Sequence, residues 1–557
     1  MKIGYYPRKH IKNNVVSFLE AHAKHQPDKV AFYFLSKNRL KPDKFIHDSI
    51  TYSDFNSKVS SVAMGLSNLG IRQNDRIIVF VPISPELYIS IAALQRMGAI
   101  PVLLDSWSRQ EQLAAIVKNS TPRGIIAPAA WLKAFESHLN NFNIKTKISS
   151  DENSAANSIT KLSDLFSGKS REIIPVKQDH TALITYTTGS SGTPKGVNRT
   201  HRFLAAQHYA LKRLFPYNPT DIDLPVFPVF ALNNIASGIT TVIPAINISK
   251  PSTEDSKNLL IQISKLKVNC MTLAPSSFRN LAIFCKEKGI FLKDISRVLT
   301  GGAPISETDI ARFMHIAPNS KNWILYGSTE VEPIAYIESR KMLSIKQPVG
   351  TNVTKIGVNV GKIDRALRYK LINIETRDFR QAVNMRDIKV GKGEVGELVV
   401  AGEHVCLGYY RNKEAFVRAK IKDGLGIIWH RTGDLARIDR NGYLWIVGRR
   451  HNVIKRNGEY FFPVRPEIIL KNLSYIANAA YLDFKSKRRY KVVAVITLKD
   501  NDEKVREKSR KEVNKIFEKE RLPLDEVVFM EEIPMDVRHH SKVDYNALRQ
   551  KIYELYA

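Results

Sequence analysis

The stretch Thr187–Gly196, TTGSSGTPKG, is the most informative part of this sequence. It holds three glycines, five hydroxyl-bearing residues and one lysine. Glycine lets a backbone approach a ligand closely, and clustered N–H groups, hydroxyls and an ammonium suit the oxygens of a polyphosphate. The apolar segment Ala182–Tyr186 directly precedes it and predicts a strand that leads into the loop. We therefore predict a polyphosphate-binding loop at the end of a strand.

This loop differs from the common nucleotide-binding P-loop, GxxxxGK[ST]. Pro194 stands where that pattern needs glycine, and Gly196 follows Lys195 where the pattern needs serine or threonine. The alternative interpretation is a flexible Gly/Ser surface loop. The Pro-Lys-Gly ending favours the phosphate-binding interpretation.

Length and composition indicate a globular protein of more than one domain. A chain of 557 residues is too long for a single core. No apolar run is long enough to cross a membrane, and Met1–Asn14 is polar and basic without the apolar stretch of a signal peptide. We therefore expect a cytoplasmic protein. Cys270, Cys285 and Cys406 form no CxxC pair, so we expect buried thiols and neither a disulfide nor a zinc site.

The formal net charge of +31 is large. Such a charge is typical of proteins that bind nucleic acid, an anionic membrane surface or acidic small molecules. The basic residues are spread along the chain and no nucleic-acid-binding signature accompanies them, so we expect no specific nucleic-acid partner. A solvated surface is the simplest explanation, and peripheral contact with an anionic membrane remains an alternative.

The order of strand-like and helix-like segments predicts an α/β fold. Asp75–Pro82 and Ala99–Leu104 are typical of buried strands, and Pro85–Met97 between them has apolar residues at helical spacing. Strand–helix–strand units imply mostly parallel sheets flanked by helices. After about residue 350 short strands dominate, as in Gly393–Val400 and Gly442–Val447, and predict a β-rich subdomain.

A domain boundary is predicted near Gly448–His451. Residues 1–447 then form a large N-terminal domain, and residues 448–557 form a small, mobile α+β C-terminal domain. The stretch Asp502–Arg521 mixes charges of both signs, which predicts a solvated helix in the smaller domain.

Further short motifs follow the loop in a fixed order. They are Gly301–Pro304, Tyr326–Glu330, Trp429–Asp434 and Gly448–Arg449, and a lysine, Lys542, lies near the end of the chain. In this order and spacing the set resembles the superfamily of acyl-adenylate-forming enzymes. That group includes acyl-CoA synthetases, the adenylation domains of peptide synthetases, and luciferases.

The resemblance covers residues 14 to 548 and implies an ATP-dependent, AMP-forming ligase. In that reaction a carboxylate attacks the α-phosphorus of ATP and pyrophosphate leaves. Both reactants are anionic, so Mg²⁺, cationic side chains and N–H donors must offset their repulsion. By resemblance, the residues that hold the β- and γ-phosphates are Thr187, Thr188, Gly189, Ser190, Ser191, Gly192, Thr193 and Lys195.

The resemblance also implies the rest of the nucleotide site. Asp434 would accept hydrogen bonds from the ribose hydroxyls, and Arg449 would lie near the ribose or the phosphates. Thr329 would contact the α-phosphate. The residues implied on the adenine side are Gly302, Ala303 and Tyr326, and Gly327 is implied among the nucleotide-binding residues.

Three residues are implied in catalysis. Glu330 would bind Mg²⁺ and is the one implied metal ligand. Lys542 would bridge the carboxylate and the α-phosphate as charge shifts in the transition state, a role that suits a compact and mobile point charge. Thr187 would act at the start of the phosphate loop.

The sequence matches the family less well at the residues implied in the second half of the reaction, the acyl transfer. In the family the small domain usually reorients about a hinge with the pattern GRxD, but His451 occupies the last position here. The PxEIE pattern that normally follows is also altered, in Phe462–Glu467. His451 could titrate near neutrality, and the alternative is a plain tolerated substitution.

The acyl group is predicted from the stretch Asp223–Leu232, which in the family supplies part of the acyl pocket. An amino-acid-activating enzyme needs a carboxylate there for the substrate ammonium, because an unpaired buried charge is costly. Residues 226 to 232 contain none, and we expect Asp223 to cap or turn the chain. An apolar pocket for a fatty or aromatic acid is therefore predicted.

Two stretches of the sequence indicate different acceptors for the acyl group. The form DLPxFPxFAL resembles the β-lactone synthetases of olefin biosynthesis, in which the substrate's own β-hydroxyl displaces AMP. The stretch Ile454–Gly458 instead looks like CoA ligases. We take fatty-acyl transfer to CoA as the first hypothesis and β-lactone formation as the second. A non-catalytic nucleotide-binding protein, recruited to anionic surfaces by its charge, is the hypothesis from another class.

Overall fold

The computed structural model describes residues 14–36, 46–104, 110–151, 159–166, 169–188, 194–247, 252–345, 355–486, 489–535 and 542–556. Within these residues the chain forms two large sheets covered by helices, one small sheet near the end of the sequence, and a separate two-stranded hairpin. The largest sheet has 14 strands and the next has seven.

Helices and strands alternate up to residue 214. Runs of buried aliphatic residues form the strands, and proline in the first turn favours the start of a helix such as Pro85–Arg96. The elements are α1 Val16–His25, β1 Val30–Leu35, β2 His47–Thr51, α2 Tyr52–Asn68, β3 Arg76–Val79, α3 Pro85–Arg96, β4 Ile100–Leu103, α4 Gln110–Ser120, β5 Gly124–Ala127, α5 Ala129–Ala134, α6 Glu136–Asn141, β6 Thr146–Ser149, β7 Thr160–Lys161, β8 Thr181–Thr188, β9 Pro194–Thr200 and α7 His201–Leu214.

The seven-stranded sheet carries both flanks of the glycine-rich loop. Its strand order is β7-β6-β5-β3-β4-β8-β9, and every pair is parallel except the last. Strands β8 and β9 form an antiparallel pair, and the loop joins them at the sheet edge. The predicted strand over Ala182–Tyr186 is confirmed, because these residues lie within β8.

The next part of the chain builds the parallel half of the large sheet. Strands β10 to β14 pair in parallel, and β15 returns antiparallel to β14. The elements are β10 Ile222–Pro225, α8 Pro228–Ser237, β11 Thr240–Val242, α9 Thr253–Leu266, β12 Cys270–Leu273, α10 Pro275–Glu287, β13 Arg297–Gly301, α11 Glu307–Ile316, β14 Lys321–Ser328, β15 Val331–Glu338 and α12 Ser339–Ser344.

Residues 358 to 449 continue the same sheet with antiparallel strands, as predicted for a β-rich region. The strand order of the whole sheet is β17-β18-β20-β21-β16-β15-β14-β13-β12-β10-β11-β1-β2, and β19 pairs with β20. The new elements are β16 Val358–Ile363, β17 Arg368–Ile372, β18 Gly396–Ala401, α13 Lys413–Ala419, β19 Lys420–Lys422, β20 Ile428–Ile438 and β21 Leu444–Arg449.

The remaining residues form an α+β unit around a three-stranded sheet, β24-β25-β26. Its core includes Tyr481 and Phe517 and reaches Trp445 of β21. A division of the chain at residue 448 remains a prediction. The elements are β22 Ile454–Arg456, β23 Glu459–Phe461, α14 Val464–Lys471, β24 Ile476–Ser486, β25 Arg489–Leu498, α15 Glu503–Lys519, β26 Glu526–Phe529 and α16 Tyr545–Tyr556.

The expectation of buried thiols is met by the fold. Cys270, Cys285 and Cys406 are buried free thiols, and burial raises the pKa of Cys285 to about 12, so that this thiol stays protonated and inert. Helices long and apolar enough to cross a membrane are absent from the part of the chain that the structure describes.

We predict that Gly361→Ala in β16 is strongly destabilising. Gly361 has a φ of 92°, and a Cβ at this position would overlap the carbonyl oxygen of Tyr336 on β15. Left-handed strain of about 1 kcal/mol then adds to an overpacking cost of about 1–3 kcal/mol. The midpoint of thermal unfolding, followed by circular dichroism, should fall by several degrees.

Gly393→Ala is the matched control. Gly393 has a φ of 79°, but a Cβ there would meet no described atom within 4 Å. This variant shares the backbone strain without the steric overlap, so its unfolding midpoint should fall clearly less. Equal losses in the two variants would contradict the steric argument.

Candidate active site

The glycine-rich loop is flanked by two of the residues predicted to hold phosphate. Thr187 and Lys195 face each other across the antiparallel pair β8–β9. Burial lowers the pKa of Lys195, the Glu330 carboxylate opposes that change, and Arg418 adds to it. The ammonium of Lys195 therefore lies within electrostatic reach of Glu330. The predicted loop residues outside the described residues are Gly189, Ser190, Ser191, Gly192 and Thr193.

Thr329 and Glu330 form the tight turn between β14 and β15. Two neighbouring segments hold its backbone. Arg199 of β9 donates from Nη2 to the carbonyl oxygen of Thr329 at 3.0 Å. The amide of Cys406 donates to the carbonyl oxygen of Glu330 at 2.7 Å. The strand that leaves the phosphate loop is thereby tied to the turn that carries the predicted magnesium ligand.

The Glu330 side chain lies among polar groups that favour its charged form. Tyr409 donates its hydroxyl hydrogen to Oε1 at 2.9 Å. Burial by itself raises the pKa of Glu330, but His430, Lys420 and the Tyr409 hydrogen bond together outweigh it and hold the pKa below its usual range. The residue is therefore an anion at neutral pH.

Lys420 is the cation that faces this carboxylate. Its side chain is 1% exposed, and Nζ donates to the carbonyl oxygen of Cys406. Burial lowers the pKa of His430 to about 3, so the imidazole is neutral at physiological pH. Burial also lowers the pKa of Lys420, and Cys406 and Glu330 oppose that shift. Charge compensation at Glu330 thus comes from lysines, Lys420 and Lys195.

Sequence reasoning missed Tyr409 and Lys420. The aromatic residue follows Gly408, and a glycine–aromatic pair in a β-rich region was a usable signal. Lys420 carried no signal, because one buried lysine among 85 basic residues looks like any other in a sequence. His430 lay in a quoted motif but had no assigned role.

The Glu330 environment fits a Mg²⁺ ion. Mg²⁺ prefers one or two protein carboxylates and completes its octahedral shell with substrate phosphates and water. Glu330 is an ionised carboxylate next to the cation that flanks the phosphate loop. Clusters of three or more His, Cys, Asp or Glu side chains able to hold a metal by themselves are absent among the described residues. A site completed by nucleotide phosphates is consistent with this donor set.

Asp434 is held by two of the residues predicted with it. The Tyr326 hydroxyl donates to Oδ2 at 2.7 Å, and Nε of Arg449 lies 3.0 Å from Oδ1. Burial and then Asp434 raise the pKa of Tyr326 well above its usual value, and Asp434 raises the pKa of Arg449. The register of β20 and β21 brings Asp434 opposite Arg449, so the sheet itself assembles the pair.

The glycines predicted on the adenine side lie next to Tyr326. Gly301 pairs with Leu325 of β14, and a Cβ on Gly301 would overlap the Leu325 carbonyl oxygen. Gly302 follows with a φ of 89°, which favours glycine, and Ala303 comes next. Gly327 also allows close approach, because a Cβ there would lie 2.9 Å from the carbonyl oxygen of Val331.

These residues share one edge of the large sheet. They follow the carboxyl ends of the parallel strands β13 and β14, which is where open α/β sheets bind ligands. The structure therefore brings together the loop flanks, the turn, the adenine-side residues and the carboxylate of β20. The predicted residues in this group are Thr187, Lys195, Gly302, Tyr326, Thr329, Glu330, Asp434 and Arg449.

Arg431 holds β20 in place through a buried ion pair. Its side chain is 2% exposed, and its Nε lies 3.1 Å from both carboxylate oxygens of Glu397 on β18. Nη1 also lies 3.1 Å from Asp378. Breaking such a buried pair is costly, so Arg431 serves to hold the strand that carries Asp434.

Lys542 and His451 lie in the last part of the chain. Lys542 precedes α16, beside the bridge between Met535 and Val543, and its contact with the nucleotide remains a prediction. Burial, with Arg449 and Arg549, lowers the pKa of His451 to about 4. The idea that His451 titrates near neutrality is therefore wrong, because the imidazole is already neutral there.

The predicted acyl segment forms most of β10 and the start of α8. Its aromatic residues join an apolar cluster from α7, β13, β14 and β15, which we call the α8 cluster. The cluster comprises Leu211, Leu214, Phe215, Phe227, Val229, Phe230, Leu299, Trp323, Leu325 and Tyr336.

The expectation that Asp223 caps or turns the chain is wrong. Asp223 lies within β10, where it pairs with Cys270 of β12. It is 1% exposed and accepts a hydrogen bond from Nδ2 of Asn234 at 2.8 Å. Burial raises its pKa to about 6. Its carboxylate is committed to packing between β10 and α8.

Comparison with known proteins settles the family. A family model described as AMP-binding enzyme matches residues 19–410. The chain belongs to this family. The AMP-binding enzyme is 28% identical to the olefin beta-lactone synthetase of Xanthomonas campestris pv. campestris over 471 residues, which cover 82% of this chain and 83% of the relative. It is 26% identical to 4-coumarate:CoA ligase 1 of Petunia hybrida over 478 residues, which cover 83% of this chain and 82% of the relative.

Solved structures confirm the α/β fold class. ATP-bound MatB from Rhodopseudomonas palustris superposes with a TM-score of 0.77 at 18% identity, covering 98% of this chain and 100% of that chain. The anthranilate CoA ligase AuaEII, in complex with anthranoyl-AMP, gives a TM-score of 0.78 at 18% identity, and the match covers 100% of this chain and 99% of that chain. With the family and its relatives, the AMP-binding enzyme is an acyl-adenylate-forming ligase, and the non-catalytic hypothesis is set aside.

We predict that Tyr326→Phe raises the KM for ATP. Loss of the hydroxyl removes a hydrogen bond to a charged group, worth about 1.5–3 kcal/mol, and frees the Asp434 side chain to move. The KM for ATP should rise about tenfold or more, measured by AMP release at saturating acid. Tyr336→Phe on β15 is the control, because its ring packs in the α8 cluster away from Asp434. An equal rise in both variants would rule out the Asp434 contact as the cause.

Proposed function

We propose that this AMP-binding enzyme activates a fatty carboxylic acid as its acyl-adenylate, releases pyrophosphate, and transfers the acyl group to CoA. The observation that carries the acid class is the α8 cluster. It lies on β13 and β14, the strands whose ends carry the predicted adenine-side residues. An acyl chain on the adenylate therefore has apolar side chains within reach.

The chemistry of the α8 cluster disfavours charged acids. Phe227, Val229 and Phe230 come from α8, and Leu299 and Leu325 come from the sheet. A substrate ammonium or second carboxylate buried among them would lack a partner. Burying a single polar group without a partner already costs about 2–7 kcal/mol. A hydrocarbon chain is instead stabilised by about 0.8 kcal/mol per buried CH₂.

In the first half-reaction the phosphate end of ATP meets the β8–β9 loop. Thr187 and Lys195 flank this loop, and Lys195 offsets the charge of the β- and γ-phosphates. Glu330 would hold Mg²⁺, which supplies the positive charge that lets two anionic reactants approach. Thr329, fixed by Arg199, would lie beside the α-phosphate.

The ribose end would rest on Asp434. Its two oxygens accept from Tyr326 and Arg449, and a carboxylate with about four lone-pair sites retains capacity for the ribose hydroxyls. Lys542 would then neutralise the charge that shifts between the acid and the α-phosphate. This requires residues 448–557 to bring Lys542 to the nucleotide, by a domain reorientation of the kind seen in other ligases.

A second candidate acceptor is the substrate's own β-hydroxyl, which would give a β-lactone. Similarity to the olefin beta-lactone synthetase and the form of residues 223 to 232 favour it. Similarity to the 4-coumarate:CoA ligase and the stretch Ile454–Gly458, which forms the β22–β23 hairpin, favours CoA. The two differ in whether CoA is consumed.

We predict that the acceptor is revealed by one reaction series. Purified protein, ATP and Mg²⁺ are combined with a long-chain fatty acid or its 3-hydroxy analogue, each with and without CoA. AMP release and product mass are measured. Acyl-CoA from both acids, formed only with CoA, supports the first candidate. A product from the 3-hydroxy acid alone, formed without CoA and lighter by one water, overturns it in favour of the β-lactone.

We predict that Lys542→Ala abolishes adenylation without abolishing nucleotide binding. Removing a charge used in the transition state lowers kcat, whereas ground-state contacts set the binding of ATP. Exchange of pyrophosphate into ATP should fall by about 100-fold or more, as for other transition-state contacts. Lys551→Ala on the exposed face of α16 is the control. An unchanged exchange rate in Lys542→Ala would refute the assignment.

A further inference from the structure

A polar pair lies at one end of the α8 cluster. Nε2 of Gln207 on α7 donates to Oε2 of Glu332 on β15 at 3.4 Å. Gln207 is 3% exposed, while Glu332 is only partly buried. Neither residue belongs to the sequence motifs, and the proposed mechanism uses neither of them. A deep carboxylate that keeps access to solvent is typical of the wall of a cleft.

The position of this pair follows from the alignment of α7 with β15. Glu332 meets Gln207, and four residues further along β15 the ring of Tyr336 packs on Phe215, with centroids 5.9 Å apart. Eight helical residues span about 12 Å. Four strand residues span about 13 Å. The two elements therefore run side by side in the same direction.

Leu211 lies between the two contacts on α7, four residues from each of Gln207 and Phe215, and so on the same helix face. It belongs to the α8 cluster. The face of α7 that meets β15 is therefore apolar along most of its length and polar only at Gln207. That polar end is the one nearest the Thr329–Glu330 turn, because Glu332 comes only two residues after Glu330.

A nearby cation reduces the cost of placing a carboxylate here. The Arg199 guanidinium lies within electrostatic reach of Glu332. Arg199 also binds the carbonyl oxygen of Thr329. The same guanidinium thus links the polar pair to the turn at which the α-phosphate is expected.

We propose that Glu332 and Gln207 form a subsite for a hydroxyl group next to the reacting carboxyl of the acyl chain, so that the enzyme selects 3-hydroxy fatty acids. The proposal rests on the proposed fatty-acid activation and holds for either acceptor. The substrate carboxyl would lie at the turn and the hydrocarbon would run along the α8 cluster. A hydroxyl on the third carbon then falls at the polar end, where Glu332 accepts its hydrogen bond.

An unsubstituted acid would leave this pair without a partner in a closed site. Leaving a buried hydrogen-bond acceptor without a partner costs about 1–3 kcal/mol, which corresponds to about 5- to 150-fold in kcat/KM. Wild-type enzyme should therefore prefer 3-hydroxymyristate to myristate by at least about fivefold at fixed pH.

The test compares this preference in matched variants, measured as AMP release with saturating ATP. Glu332→Leu should reduce the ratio of the two kcat/KM values to near one, mainly by loss of activity on the hydroxy acid. Glu332→Gln, which can still accept a hydrogen bond, should retain most of the ratio. Glu338→Leu, on the same strand but away from Gln207, is the control and should leave the ratio unchanged.

Each outcome bears on a different claim. A wild-type enzyme that turns over both acids equally, or a Glu332→Leu variant with an unchanged ratio, overturns the subsite and leaves fatty-acid activation intact. Failure of the wild type to release AMP with either acid overturns the proposed function itself. If Glu332→Leu does not fold, Gln207→Leu provides the same comparison, and an unchanged ratio there also overturns the subsite.

Discussion

The electrostatic attraction between the Glu330 carboxylate at the β14–β15 turn and the buried ammonium of Lys420 is the constraint on which the site depends. Burial disfavours the charged form of Glu330, and Lys420 supplies part of the charge that compensates for this. Removing either partner would weaken the compensation for a charge held away from water, which proteins tolerate poorly. Three separate parts of the chain must therefore meet at this point: the turn, the segment around Tyr409, and the start of β19. Their meeting also fixes the strand that leaves the phosphate loop, through Arg199 and the carbonyl oxygen of Thr329.

The nucleotide side of the site also depends on side chains from distant parts of the chain. Asp434 is oriented by Tyr326 from the parallel part of the large sheet and by Arg449 from the antiparallel part. Because these strands belong to one continuous sheet, the distance between the adenine side and the ribose side is set by strand spacing. Arg449 ends β21, so the residue that binds Asp434 is also the last strand residue before the C-terminal unit. Movement of the C-terminal unit would therefore disturb the ion pair between Arg449 and Asp434 first.

The acyl side combines an apolar cluster with one polar end. The α8 cluster accounts for a hydrocarbon chain, and the pair formed by Gln207 and Glu332 accounts for a hydroxyl near the carboxyl. Asp223 shows why carboxylates in this region must be considered individually. It was expected at a cap or turn, but it is buried in β10 and bound to Asn234, so it serves the packing of α8 and is not available to a substrate.

The sequence by itself determined the elements and the family resemblance. Periodicity and the motifs predicted β8, the α/β fold, the β-rich region and most members of the site, because these depend on local patterns and short spacings. The tertiary structure alone decided which charges are paired. Lys420, Tyr409 and the pair Gln207–Glu332 come from parts of the chain that are 79 to 125 residues away from their partners or lie on different elements. Burial sets the pKa of such groups, as it does for His451, for which titration near neutrality was one of two alternatives and is wrong. Burial and long-range register are properties of the packed sheet, and no local pattern in the sequence encodes them.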